Sequence, residues 1–206
     1  MKSRLSVLPL LCLLLFPLQA AGAGGVAAAG KAKSQTCVAC HGPDGNSTTP
    51  LWPKIAGQYE NYLAKELKDF RLGEKGPRYE PSMFGMTANL SDQDIADLAA
   101  FYASEKPTEG QAQQALVALG EKIYRGGNIK TGVTACSACH NPQGAGNALA
   151  VYPRLGGQHA DYIANQLRAF RDGKRSNSPN GMMESISQRM SEEEIKAVSS
   201  YIEGLH

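Results

Sequence analysis

The sequence predicts an all-α protein built as two tandem copies of one small domain, each a few short helices. Three observations carry this. The cluster Cys37-Val38-Ala39-Cys40-His41 returns as Cys136-Ser137-Ala138-Cys139-His140. Shifted by 100 residues, Pro53 to Gly73 falls on Pro153 to Gly173 with nine of 21 positions identical. Apolar residues around these landmarks recur at helical spacing, and no alternating strand pattern of useful length interrupts them. A whole domain has been duplicated.

Taken in order, residues 1–23 read as a secretory signal. Lys2 and Arg4 precede an apolar run from Leu5 to Leu18, and Ala21-Gly22-Ala23 offers small residues for cleavage. Cys12 lies inside this segment. The run is short for a membrane anchor, and no later stretch is long enough to span a bilayer. The first domain is expected over 24–106 and the second over 107–206, with the polar stretch Ser104 to Gly110 as the junction. In the first domain Tyr59, Tyr62, Leu63, Leu67 and Phe70 mark a helix, matched in the second by Tyr162, Ile163, Leu167 and Phe170. Gly73 and Gly173 should stop these helices. The last helix of each domain should start at Ser91 or Ser191, with Asp94 or Glu194 completing a capping box. Leu90 with Ile95, and Met190 with Ile195, would staple those starts. Leu116, Leu119, Gly120 and Ile123 mark a further helix ending at Gly126-Gly127, after which the second cysteine cluster is expected in a loop.

Composition narrows the chemistry. Loss of Lys2 and Arg4 takes the formal charge from +2 to zero, so no basic surplus points to nucleic acid, and no polybasic run points to an anionic membrane surface. The four cysteines that remain all lie in the two clusters. C-x-x-C-H is the attachment signature of a c-type haem: the thiols form thioethers with the porphyrin, and the histidine becomes the first axial ligand of the iron. Cys37, Cys40, Cys136 and Cys139 are therefore the expected attachment points of two covalent haem c groups, with His41 and His140 as iron ligands. Two disulfides, or one zinc bound by both cysteine pairs, are the alternatives. Neither explains why a histidine follows the second cysteine twice. A haem also answers a size problem, because a domain of this length has a marginal core by itself.

The second axial ligand separates a carrier from an enzyme, since methionine favours electron transfer and an open position invites small-molecule chemistry. Met83 lies eight residues before Ser91 and Met183 eight before Ser191, so the repeat equates them. Met86 and Met182 are the respective alternatives, although they map onto Ile186 and Ser82. Met190 maps onto Leu90 and reads as a staple. Of the other histidines, His159 replaces Tyr59 and suits a surface or interdomain position, and His206 ends the chain. Pro53 and Pro153 are candidates to offer carbonyls to the ring N–H of the ligand histidines. Trp52 and Tyr152 would cover a haem edge or fill the domain interface. Arg78, Lys174 and Arg175 could meet propionates, with solvated surface charge as the plainer reading.

These residues together resemble the dihaem cytochrome c4 family. The tandem C-x-x-C-H clusters, P-K-I-A-G-Q and P-R-L-G-G-Q, the L-S-D-Q-D helix start, R-G-G before the second cluster, G-G-Q-H after it and the closing S-S-Y-I-E-G-L-H carry the resemblance. It spans essentially the whole chain after the signal. It implies two cytochrome c-like domains packed face to face, with His41 and Met83 on one iron and His140 and Met183 on the other. It further implies a periplasmic, non-enzymatic electron carrier taking electrons from a quinol–cytochrome c oxidoreductase or another donor. The acceptor would be a haem–copper terminal oxidase, and loose association with the membrane is compatible. Two alternatives stand beside the shuttle: a dihaem peroxidase, disfavoured by the paired methionines, and a cytochrome subunit of a periplasmic dehydrogenase such as a sulfide-oxidising enzyme. The stretch from Gly73 to Pro81, where the halves differ most, makes the approach to Met83 the hardest part to align.

Overall fold

A computed structural model describes residues 24–206. The signal expected over 1–23, with Cys12, lies outside the described residues. The first half runs α1 (Ala27–Lys33), α2 (Val38–His41), α3 (Glu60–Arg71), α4 (Pro81–Thr87) and α5 (Asp92–Ser104). The second repeats the pattern with α6 (Gln114–Gly126), α7 (Ser137–His140), α8 (Ala160–Arg171), α9 (Met182–Ser187) and α10 (Glu192–Glu203). Among the described residues the only extended pairing is three isolated bridges, so the fold is all-α as expected.

Local signals explain where the helices begin and end. Ser91 and Ser191 accept from the backbone N–H of Asp94 and Glu194, whose carboxylates return a bond to the serine N–H, closing both capping boxes. Gly127 ends α6 at φ 67°, in the region that favours glycine. Gly73 and Gly173 follow α3 and α8 with φ of 66° and 70°. Met190 and Ile195 share one buried cluster, as a staple requires.

Each half has its own core. In the first, Leu63 on α3 packs with Leu98, Ala99, Phe101 and Tyr102 on α5. In the second, Ile163 and Leu167 on α8 meet Ile195, Val198 and Ile202 on α10 and Ile123 and Tyr124 on α6. The first and last helices of each half cross at a glycine. A Cβ on Gly30 of α1 would overlap the Asp97 carbonyl, and one on Gly120 of α6 would overlap the Ala197 carbonyl and sit 2.5 Å from Tyr201 Cβ. Only glycine permits backbones this close.

α1 has no counterpart in the 100-residue repeat, because its partner α6 is displaced. Three residues separate α1 from Cys37, whereas residues 127–135 separate α6 from Cys136. The extra chain forms a small turn closed by the Asn128–Val133 bridge. The cysteine clusters also differ from the loop expected of the second: each occupies one helical turn, with the His41 and His140 amides bonded to the Cys37 and Cys136 carbonyls at 2.9 Å. Spacing i, i+3, i+4 puts both thiols and the imidazole on one face of that turn.

The halves meet face to face about a pseudo-twofold axis. Gln58 accepts from Arg154 N at 2.9 Å and donates to Arg154 O at 2.9 Å. Gln158 does the same with Lys54, at 2.9 and 2.7 Å. Both glutamines belong to the repeated G-Q pair. Tyr59 donates its hydroxyl to Ala145 O at 2.8 Å, and its counterpart His159 reaches Ser47 O from Nε2 at 2.8 Å. His159 is thus an interdomain residue. Tyr59 also belongs to the junction, and not to the core of its own repeat.

Candidate cofactor sites in the two repeats

Each histidine of the clusters is held in one tautomer by a proline carbonyl. His41 Nδ1 lies 2.9 Å from Pro53 O, and His140 Nδ1 lies 3.0 Å from Pro153 O. A carbonyl can only accept, so Nδ1 carries the proton and Nε2 keeps its lone pair for a metal. Both rings are buried, at 8% and 7% exposure. Burial lowers both imidazoles below their usual range, while the proline carbonyls act the other way. The neutral ligand form is favoured at neutral pH.

The carbonyls are positioned by a turn that the halves share. Gly45 O takes the amides of Ile55 and Ala56 at 2.7 and 3.1 Å, and Gly144 O takes those of Leu155 and Gly156 at 2.7 and 3.0 Å. Both glycines have positive φ, at 82° and 71°. One glycine carbonyl clamps the chain just after the proline, which brings the proline carbonyl over the ring.

Among the described residues, Cys37, Cys40, Cys136 and Cys139 form no disulfide with one another. Burial pushes the Cys136 thiol up to about 11 and raises that of Cys37 too. Among the described residues no three His, Cys, Asp or Glu side chains converge as a metal site would need, so the two cysteine pairs do not close one zinc site.

Met83 is the third residue of α4 and Met183 the second of α9; both are partly buried. The 100-residue register holds through these helices, since Thr87 and Ser187 are both buried. Met183 packs, like Cys136, against the second core. Its amide donates to Ser178 Oγ at 3.0 Å. Of the alternatives, Met86 is 50% exposed, which ill suits a ligand shielded from water. Met182 lies 3.9 Å from the Tyr152 hydroxyl. Trp52 is exposed. Tyr152 lies beside His140, with ring centroids 6.2 Å apart.

The residues fit a covalent haem in each half. Paired thiols sit one helical turn apart, an imidazole nitrogen is kept free beside them, and apolar side chains surround both. Arg154 Nε, one residue past the Pro153 carbonyl, is buried with no partner among the protein's own groups. A propionate would satisfy such a donor.

Two arginines that read as surface charge are placed otherwise. Arg78 and Arg175 are 6% and 7% exposed, at the junction of the halves. Lys174 is exposed. Sequence reasoning missed the group that holds both arginines, Glu66 on α3. Its only signal is that an acidic residue replaces Gln166 of the repeat.

Comparison with known proteins gives a consistent picture. The Cytochrome c family model matches residues 27–105 and 117–206. The chain is 52% identical over 193 residues to cytochrome c4 of Azotobacter vinelandii, covering 90% of this chain and 92% of that one. It is 36% identical to a thiosulfate dehydrogenase electron acceptor of Thiomonas intermedia, covering 85% and 81%. The crystal structure of reduced recombinant cytochrome c4 from Pseudomonas stutzeri superimposes with a TM-score of 0.86 at 48% identity, covering 88% of this chain and all of that one.

Proposed function

The chain belongs to the cytochrome c4 family, dihaem electron-transfer proteins with two covalent haem c groups, and from that premise we propose that it works as a periplasmic shuttle. Each haem supplies an iron that gains and loses one electron. In the proposal the thiols of Cys37 and Cys40, and of Cys136 and Cys139, hold the haems as thioethers. His41 and His140 offer Nε2 to the irons, fixed by the carbonyls of Pro53 and Pro153. Met83 and Met183 would supply sulfur as the second ligand of each iron, a donor that raises the potential and favours electron transfer over substrate chemistry. The protein is therefore a carrier and not an enzyme.

The observation that carries this reading is that an identical lock, proline carbonyl to imidazole Nδ1, occurs beside both cysteine pairs. The secretory signal expected over 1–23 supports export. Among the described residues no helix is long and apolar enough to cross a membrane. The proposed donor is a quinol–cytochrome c oxidoreductase, and the proposed acceptor a haem–copper terminal oxidase. The dehydrogenase-subunit alternative has a weaker claim: the relative named as an electron acceptor of thiosulfate dehydrogenase is 36% identical, against 52% for a cytochrome c4.

Carbon monoxide tests the closed-iron reading. The reduced native holoprotein should bind none, and mixing with purified haem–copper oxidase should draw two electrons from it. Binding of carbon monoxide at either iron would favour the peroxidase-like alternative.

A further inference from the structure

We propose that Glu66 is a shared positioning residue for both methionine ligand segments: one buried carboxylate in the first repeat anchors the chain leading to Met83 and the chain leading to Met183. This rests on the assignment of those two methionines as ligands.

The two segments are joined to each other. Arg78, five residues before Met83, forms an antiparallel bridge with Arg175, eight before Met183. Ser176 N donates to Pro77 O at 2.8 Å alongside it. Each arginine stacks on a phenylalanine of its own repeat: Arg78 lies 4.6 Å from the Phe70 centroid, and Arg175 lies 4.3 Å from that of Phe170. Each then reaches into the other repeat. Arg78 donates to the Tyr162 hydroxyl at 3.0 Å and to Gln166 Oε1 at 3.0 Å. Arg175 donates to the Tyr62 hydroxyl at 3.0 Å and to Glu66 Oε2 at 3.0 Å. It also reaches Gln166 Oε1 at 2.9 Å.

The repeat breaks at one charge. Positions 62 and 162 are both tyrosine, and 70 and 170 both phenylalanine, but Glu66 faces Gln166. Both guanidiniums therefore converge on a single carboxylate. Arg78 Nε sits 2.7 Å from Glu66 Oε2, though off the hydrogen-bond axis, so that contact is an ion pair and not a directed bond. Asn177 donates to Glu66 Oε1 at 2.8 Å and to Asp69 Oδ2 at 2.7 Å. Lys65 approaches Glu66 at 3.5 Å and binds Asp69 at 2.6 Å. Burial pushes the Glu66 carboxyl up, but Arg175 and Arg78 outweigh it and hold the group below the usual carboxylate range. It stays ionised.

Without that charge two buried cations would face each other across neutral amides, and the bridge between the segments would be driven apart. The arginines sit close upstream of both methionines, and Arg175 is followed by Asn177 and by Ser178, whose hydroxyl takes the Met183 amide. Separation should therefore loosen both sulfur–iron bonds, including the one in the repeat that lacks Glu66.

The test uses the holoprotein and follows the methionine–iron charge-transfer band as pH rises. Met83→Ala leaves a protein whose band reports only the second repeat, and Met183→Ala one that reports only the first. Adding Glu66→Gln to each should lower the pH at which the remaining band disappears by about one unit, a tenfold weakening of methionine binding. Far-ultraviolet helicity should be unchanged at that pH, which a merely structural loss would not leave intact. Gln166→Glu, which gives each arginine a carboxylate, should move the loss to higher pH in both reporters. It decides the matter if the Glu66 variant does not fold. An unshifted band in the second-repeat reporter, or no upward shift with Gln166→Glu, overturns the proposal. If Met83→Ala and Met183→Ala leave the full band, the ligand assignment itself is wrong and the proposal falls with it.

Discussion

Met83→Ala is expected to abolish half of the methionine–iron charge-transfer band, and Met183→Ala the other half. Each variant should gain one site for carbon monoxide in the reduced protein. Alanine has no lone pair to offer, and neither half places a second histidine where it could take over. His159 is committed between Ser47 O at 2.8 Å and Glu203 at 3.5 Å, and His206 is exposed at the end of the chain. Met86 is half exposed, and Met182 lies against the Tyr152 hydroxyl, so a substitute sulfur would have to move first. The change should therefore be a full loss at one iron and not a weakened bond. Loss of the soft sulfur should also lower the potential of the affected haem. An unchanged band in both variants would transfer the assignment to Met86 and Met182.

Gly120→Ala should destabilise the second half, against the ordinary sign of that substitution. Inside a helix, alanine normally gains up to about 1 kcal/mol over glycine. At Gly120 the added methyl meets the Ala197 carbonyl and the Tyr201 Cβ, which belong to the neighbouring helix and cannot step aside as a flexible side chain would. Overpacking of this kind costs about 1–3 kcal/mol. For a domain of this size the melting temperature should fall by several degrees, at about 4–8 °C per kcal/mol. Gly30→Ala should do the same in the first half, where the Asp97 carbonyl and Phe101 Cβ lie in the way. Thermal unfolding of the holoprotein followed by circular dichroism measures both. A rise in melting temperature would mean that helix propensity wins and that α6 and α10 are not packed this closely.

What could be read from the residues was local or repeated. The capping boxes at Ser91 and Ser191, the helix ends near Gly73, Gly127 and Gly173, and the proline carbonyls opposite the histidines follow from short-range chemistry or from register between the halves. α1 escaped because its seven residues carry no apolar periodicity and its partner helix is displaced by the extra turn at residues 127–135. It is a helix because Gly30 lets it lie on α5. The second cysteine cluster was expected in a loop because four residues are too few to show a period, yet they form one turn.

The junction was the least legible part. Arg78 and Arg175 have the composition of surface residues, and only the arrival of the other repeat buries them. Tyr59 and Tyr62 matched the apolar face of α3, but their hydroxyls serve Ala145 O and Arg175 across the junction. A single repeat contains half of each of these contacts. Their pattern therefore appears only when both halves are in place.

Intact mass of the exported holoprotein decides whether each half carries a covalent haem. The mass should exceed that of the apoprotein by two haems and stay there through acid–acetone extraction, because thioether bonds survive it. A single haem, haems that extract into acetone, or zinc in their place would rule out two thioether-bound haems.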